Sequence, residues 1–289
     1  MQKGKKPRPL RKKQTQRRPG IEEKMEPQPI ADFPDEKGSG KLWKKAALIT
    51  GGDSGIGRAV AILFAKEGAD VAISYLSEHS DARETKRIIE ENYHQKCILL
   101  PGDISRERHC RTIVDKTVKE FGRIDILVNN AAIHYEREGL EQVETKDMIH
   151  TFATNIYSYF WITKFALPHM GENSSIINSA SVVAYRGSAT LIDYAATKGA
   201  IVSFTRSLSG NLKDRKIRVN GVAPGPIWTP LIVSSFEGKK AAKHGSDVPL
   251  GRAGEPAEVA KSYLFLASED ASYMSGQFLH PNGGEIVNG

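Results

Sequence analysis

The stretch that most restricts the fold is Thr50-Gly51-Gly52-Asp53-Ser54-Gly55-Ile56-Gly57. It follows a short apolar run, 46–50, and precedes a segment with helical apolar spacing at Val60, Ile62, Leu63 and Phe64. Glycines at such a junction let the backbone turn sharply. They also let a pyrophosphate approach the helix N-terminus, where unpaired N–H groups and the helix dipole favour an anion. A tight turn alone asks for the same residues, so the motif's weight comes from its place between a first strand and a first helix.

The alternation continues along the chain. Short apolar runs at 71–74, 96–100, 126–129, 175–178, 218–223 and 277–279 read as strands. Between them, helical patterns occupy 57–67, 80–92, 105–121, 145–153, 156–170, 193–213 and 256–268. Gly68 is placed as a C′ residue, Ser105 as an N-cap and Gly122 as a helix stop. Strands this apolar, separated by helices, imply a parallel sheet covered on both faces, and right-handed crossovers make it doubly wound. The expectation is one α/β Rossmann-type domain over 41–289 with a seven-stranded parallel sheet.

Residues 1–40 have another character. The first twenty carry nine Lys/Arg and no acid, and the next twenty carry two Lys and six Asp/Glu. Six prolines and little apolar periodicity predict an extension that is disordered or packs on a neighbouring subunit. The basic block suits nucleic acid or an anionic membrane only by charge. No aromatic residue is interleaved in 1–20 to stack on bases, so neither partner is expected. The remaining 249 residues are nearly balanced, with 30 basic and 28 acidic. At 39% apolar and 26% charged the chain excludes collagen-like, wholly disordered and membrane-spanning classes. The polar, basic start lacks a signal-peptide core, and two cysteines, Cys97 and Cys110, cannot staple a fold this size, so a reducing, cytoplasmic setting is expected. The eight histidines show no ligand spacing, and no metal is expected.

Tyr194 and Lys198 stand four apart in a helical segment, on one face. A nearby ammonium favours the phenolate, so this pair has the makings of a general acid/base. Taken alone it is more often a solvated surface pair.

With its Gly-x-x-x-Gly-x-Gly spacing, the loop at 50–57 resembles that of the short-chain dehydrogenase/reductase family. Further marks fall in the family's order: Asn129-Asn130-Ala131-Ala132 after the fourth strand, Asn155, Ser181 after the fifth, Tyr194-x-x-x-Lys198, and Pro224-Gly225 after the sixth. The resemblance implies hydride transfer between NAD(P)(H) and a carbonyl or alcohol substrate. Tyr194 would exchange the proton and Lys198 would tune it and hold the nicotinamide ribose. Ser181, thirteen residues before Tyr194, would bond the substrate oxygen, with Ser179 structural, and Asn155 would order a water.

Cofactor contacts implied by the resemblance are Gly51, Asp53, Ser54, Gly55, Ile56 and Gly57 in the loop, and Tyr75 and Leu76 after the second strand. Asp103, Ile104, Asn130, Ala131 and Ala132 follow, then Tyr194, Lys198, Pro224, Gly225, Ile227 and Thr229. No acid or base directly ends the second strand, and Glu78 lies further along, so NAD and NADP both stay open. Arg58 reads as a helix-face charge. Trp228, Leu231, Ile232 and Phe236 read as a mobile loop, either a lid over an apolar substrate or an oligomer contact. A homotetramer is implied by the family alone. The arm resembles an extended bacterial subgroup that includes general stress protein 39-like oxidoreductases, through Gln16, Pro19-Gly20, Glu22, Met25, Pro27, Pro29 and Gly38-Ser39-Gly40. His280-Pro281-Asn282 departs from the family's closing Val-Asp-Gly-Gly. The rival is a catalytically silent nucleotide sensor or scaffold on the same fold, which would usually lack the Tyr/Lys pair. Enoyl reduction would expect a longer Tyr-to-Lys spacing.

Overall fold

Strands short and apolar enough to be buried on both faces build the centre of the molecule. The computed structural model describes residues 6–287. β1 (Ala46–Thr50), β2 (Asp70–Tyr75), β3 (Cys97–Pro101), β4 (Ile126–Asn129), β5 (Ser175–Ser179), β6 (Arg218–Val222) and β7 (Phe278–Leu279) pair in parallel in the order β3-β2-β1-β4-β5-β6-β7. The expected seven-stranded, doubly wound sheet is therefore present. Successive side chains of a strand feed opposite faces. Ala47 and Ile49 enter one apolar core while Leu48 enters the other, and Val71 and Ile73 part from Ala72 in the same way.

The helices are α1 (Gly55–Lys66), α2 (His79–Tyr93), α3 (Glu107–Phe121), α4 (Thr145–Phe152), α5 (Ser158–Ala166), α6 (Val183–Arg186), α7 (Ile192–Leu212), α8 (Pro230–Ser235), α9 (Gly238–Lys243) and α10 (Pro256–Ala267). α1 ends as expected: Gly68 takes φ +96° and Ala69 N–H returns to the Phe64 carbonyl at 3.0 Å.

Four expectations need correction. Ser105 is not a cap: α3 starts at Glu107, and the Asp103 carboxylate takes the Ser105 N–H at 2.9 Å instead. The two helices expected at 145–153 and 156–170 form one rod, because a π-helical turn, Ala153–Tyr157, joins α4 to α5. The segment after Pro224 is not a loose loop but contains α8 and α9, with Trp228, Ile232 and Phe236 buried around Met25. The arm, finally, lies along its own domain. Leu10 N–H bonds the Ala242 carbonyl at 2.7 Å, Gln16 N–H bonds Val233 at 2.8 Å, and Trp228 Nε1 donates to Pro27 at 2.9 Å. A proline-rich segment without a core of its own is ordered here by backbone bonds to another element. Residues 1–5 and 288–289 lie outside the described residues.

At the other end, Asn282 is buried and closes the final turn through Gly284 N–H at 3.0 Å and the Glu285 carbonyl at 2.8 Å. Among the described residues no helix is long and apolar enough to cross a membrane.

Candidate active site

β1 is flanked by β2 on one side and β4 on the other, so the chain's winding reverses at the carboxyl ends of β1 and β4. A crevice is forced open there, which is where open α/β sheets bind ligands. Thr50 ties the two ends together: its hydroxyl accepts Asn130 N–H at 2.9 Å and Ala131 N–H at 3.1 Å. The glycine loop then turns away with Gly51 at φ +65° and Gly55 at φ +53°, and a Cβ on Gly57 would strike the Gly51 carbonyl. This cradle, whose closest approaches leave no room for side chains, fits a dinucleotide.

A cavity of about 410 Å3, within the usual range of small-molecule sites, runs over this edge. It is lined by Gly51, Asp53, Ser54, Gly55 and Ile56, by Tyr75 and Leu76, by Asp103 and Ile104, by Asn130, Ala131 and Ala132, and by Tyr194, Lys198 and Thr229. Gly57 is spent on helix packing and does not line it. Pro224, Gly225 and Ile227 line a second cavity of about 600 Å3, together with Ser181. The two cavities share Ile56, His134, Ala180, Tyr194, Thr229 and Leu231, so Tyr194 stands where they meet.

Ser181 is the polar group that pulls the Tyr194 pKa down. Burial wins all the same, and the phenol is pushed up to about 12. The expected depression by Lys198 is not seen. Lys198 Nζ lies 5.4 Å from the Tyr194 ring centroid and donates to the Ser179 carbonyl at 2.7 Å. It is 2% exposed, and desolvation brings its own pKa down to about 7. Ser179 Oγ bonds Tyr263 Oη at 2.6 Å.

Asn155 lies in the π-helical turn. Its side-chain amide donates to the Ile133 carbonyl at 2.8 Å and to Thr197 at 3.2 Å, and accepts Ile133 N–H at 2.9 Å. Both side-chain N–H groups are therefore committed to protein atoms.

Further buried and charged groups shape the site. His134 is 3% exposed, 5.1 Å from the Tyr194 ring and 5.2 Å from Phe236, and its Nδ1 has no partner. Burial drops its pKa to about 3, so it stays neutral. Glu78 does reach the cavity, and burial, reinforced by the Glu78 charge, pushes Asp53 up to about 7. Arg58 is not a helix-face charge. It is buried, with Nη1 on Glu22 at 2.6 Å, Nη2 on the Asp81 carbonyl at 2.7 Å, and Nε on the Asp53 carbonyl at 2.9 Å. Glu22 comes from the arm, and its other oxygen accepts Gly55 N–H at 2.5 Å. The acids of residues 21–40 mark this part of the arm as not basic, but nothing in the sequence pairs Glu22 with Arg58.

A family model described as enoyl-(acyl carrier protein) reductase matches residues 51–285. General stress protein 39 of Bacillus subtilis (strain 168) is 52% identical over 275 residues, covering 95% of this chain and 96% of that one. NADPH-dependent aldehyde reductase 1, chloroplastic, of Arabidopsis thaliana is 52% identical over 276 residues, covering 93% and 96%. The crystal structure of a short chain dehydrogenase from Burkholderia cenocepacia J2315 in complex with NADP matches with a TM-score of 0.80 at 31% identity, covering 84% of this chain and 98% of that one.

Proposed function

The chain belongs to the short-chain dehydrogenase/reductase family and is an oxidoreductase using NAD or NADP; we propose that it interconverts an aldehyde or ketone and an alcohol, with Tyr194 exchanging the proton. The observation that carries this reading is the place of Tyr194, at the junction of the two cavities, with Ser181 lining the second of them beside it. The bound cofactor supplies or accepts the hydride at the carbonyl carbon. Burial keeps the phenol protonated, the form a reductase needs to deliver a proton to the carbonyl oxygen as negative charge develops there. Ser181 Oγ would bond that same oxygen. Lys198 spends one N–H on Ser179 and keeps two donors for the nicotinamide ribose. Asn155 is a positioning residue that clamps Ile133 and so the wall of the cavity.

The second cavity presents Leu191, Ile232 and Phe236 beside the neutral imidazoles of His134 and His244, which suits a small aldehyde carrying an apolar stem and a hydroxyl. The Arabidopsis relative's name supports an aldehyde. Four-residue Tyr-to-Lys spacing favours carbonyl over enoyl reduction, the activity in the family model's description. We place assembly as a homotetramer and a cytoplasmic location in the same reading; exposed Met148, Ile149, Tyr157 and Phe160 along α4 and α5 support self-association.

The test is consumption of NADPH and of NADH over a panel of aldehydes and ketones, with Tyr194→Phe as the control. Turnover that depends on the phenol supports the proposal. Equal inertness of both proteins, with cofactor binding intact, hands the site to the silent-sensor reading.

A further inference from the structure

A dinucleotide brings a diphosphate into the first cavity, and that cavity is poor in free positive charge. Asp53, Glu78 and Asp103 line it, and its only lining Arg or Lys residues, among those described, are Lys198 and Arg18. Lys198 is held on the floor by Ser179. Arg58, the base of the glycine-loop helix, is consumed by Glu22 and Asp81. One loop amide, Gly55 N–H, is already taken by the Glu22 carboxylate.

Arg18 is different. It belongs to the arm, and its guanidinium stacks on Tyr135 at 4.3 Å, with no acid or carbonyl bonded to it among the described residues. The backbone that carries it is fixed on both walls of the crevice. Gly20 is buried so tightly against α8 that a Cβ would meet the Pro230 carbonyl at 2.6 Å. Glu22, four residues past Arg18, is bonded to Gly55 of the glycine loop. Four residues span at most about 14 Å, so Arg18 is tethered near that loop, and it lines the same cavity as Gly51, Ser54, Gly55 and Ile56.

We propose that Arg18 is a cofactor-binding residue: the arm forms a third wall of the dinucleotide site, and this guanidinium is the counter-charge for the diphosphate. An arginine fork matches phosphate geometry and keeps its charge at every working pH. The buried Glu22–Arg58–Asp81 clasp acts as the anchor that holds the arm at the loop.

The experiment measures dissociation constants for NADH and NADPH by fluorescence titration of the full chain, with ADP-ribose and adenosine as competitors, for the parent, Arg18→Ala and Arg18→Lys. The expected result is roughly tenfold weaker binding of NADH, NADPH and ADP-ribose by Arg18→Ala. Adenosine, which has no phosphate, competes as before, and Arg18→Lys recovers part of the loss. Unchanged affinities overturn the proposal. So does a loss confined to NADPH, which assigns Arg18 to the 2′-phosphate. A loss shared by adenosine makes the arm merely structural, and a change confined to the carbonyl substrate's KM assigns Arg18 to that substrate.

Discussion

Replacing Glu22 with Ala tests whether the arm is part of the folded body. In the structure its carboxylate serves two buried donors, Arg58 Nη1 at 2.6 Å and Gly55 N–H at 2.5 Å. Removing one partner of a buried ion pair costs about 3–5 kcal/mol, because the other charge is left uncompensated. Two facts place this case at the lower end. Arg58 keeps the Asp81 and Asp53 carbonyls and Thr85, and burial already pushes the Glu22 carboxyl above its ordinary range, so its loss relieves some desolvation. The expected cost is about 3 kcal/mol, which for a domain of this size is a drop of roughly 6 °C in Tm. Thermal unfolding followed by circular dichroism reads the stability. Limited trypsin digestion reads the arm, which should be cleaved faster at Lys12, Lys13 and Arg17 in the variant. A loss under about 0.5 kcal/mol, the scatter of ordinary surface changes, with unchanged cleavage, would refute the buried clasp.

Trp228→Ala removes a fully buried side chain that lies under Arg11 and donates to Pro27, and should cost about 3–5 kcal/mol in denaturant unfolding. A cost below 1 kcal/mol would mean that the arm and α8 do not pack as described. Asp53 and Lys198 should give opposite pH slopes in the cofactor-free protein. Asp53 has its pKa raised to about 7, so its contribution to stability is complete below the normal carboxylate range and is lost as pH rises through 7. The Tm advantage of Asp53→Asn should therefore grow between pH 5 and 8, and a constant difference would contradict the burial. Lys198 has its pKa lowered to about 7, so its stability is full only above the ordinary lysine range and is lost as pH falls towards 7. Lys198→Met should be more stable than the parent at pH 7, with the gap closing towards pH 10, and should be inactive.

The parts of the fold that sequence reveals are those set by local pattern. β4 and β5 are runs of apolar residues bounded by polar or glycine-bearing turns, and strands buried on both faces must look like that. Tyr194 and Lys198 are legible because an i, i+4 pair shares one helix face, whereas Ser181 is legible only through the family resemblance. Other features depend on tertiary contact. Glu22 and Arg58 are 36 residues apart in sequence, and nothing near either one announces the other. α8 and α9 span six residues each, too short for a periodic signal, and they persist because the arm and Met25 cover them. The Tyr194 shift runs opposite to the sequence expectation for the same reason: charge proximity is readable from an i, i+4 pair, but desolvation is not. His134 carries no spacing signal in the sequence, and only its burial beside Tyr194 gives it weight.

The central claim is that the Tyr194 phenol supplies the proton at the meeting point of the two cavities. Tyr194→Phe, assayed for both kcat/KM on a reducible aldehyde and dissociation constant for the cofactor, addresses it most directly. General acid catalysis contributes about 10²–10⁴-fold, so kcat/KM should fall by that much while the cofactor dissociation constant stays within about twofold. A variant that keeps its turnover within a few-fold of the parent would show that the proton comes from somewhere else.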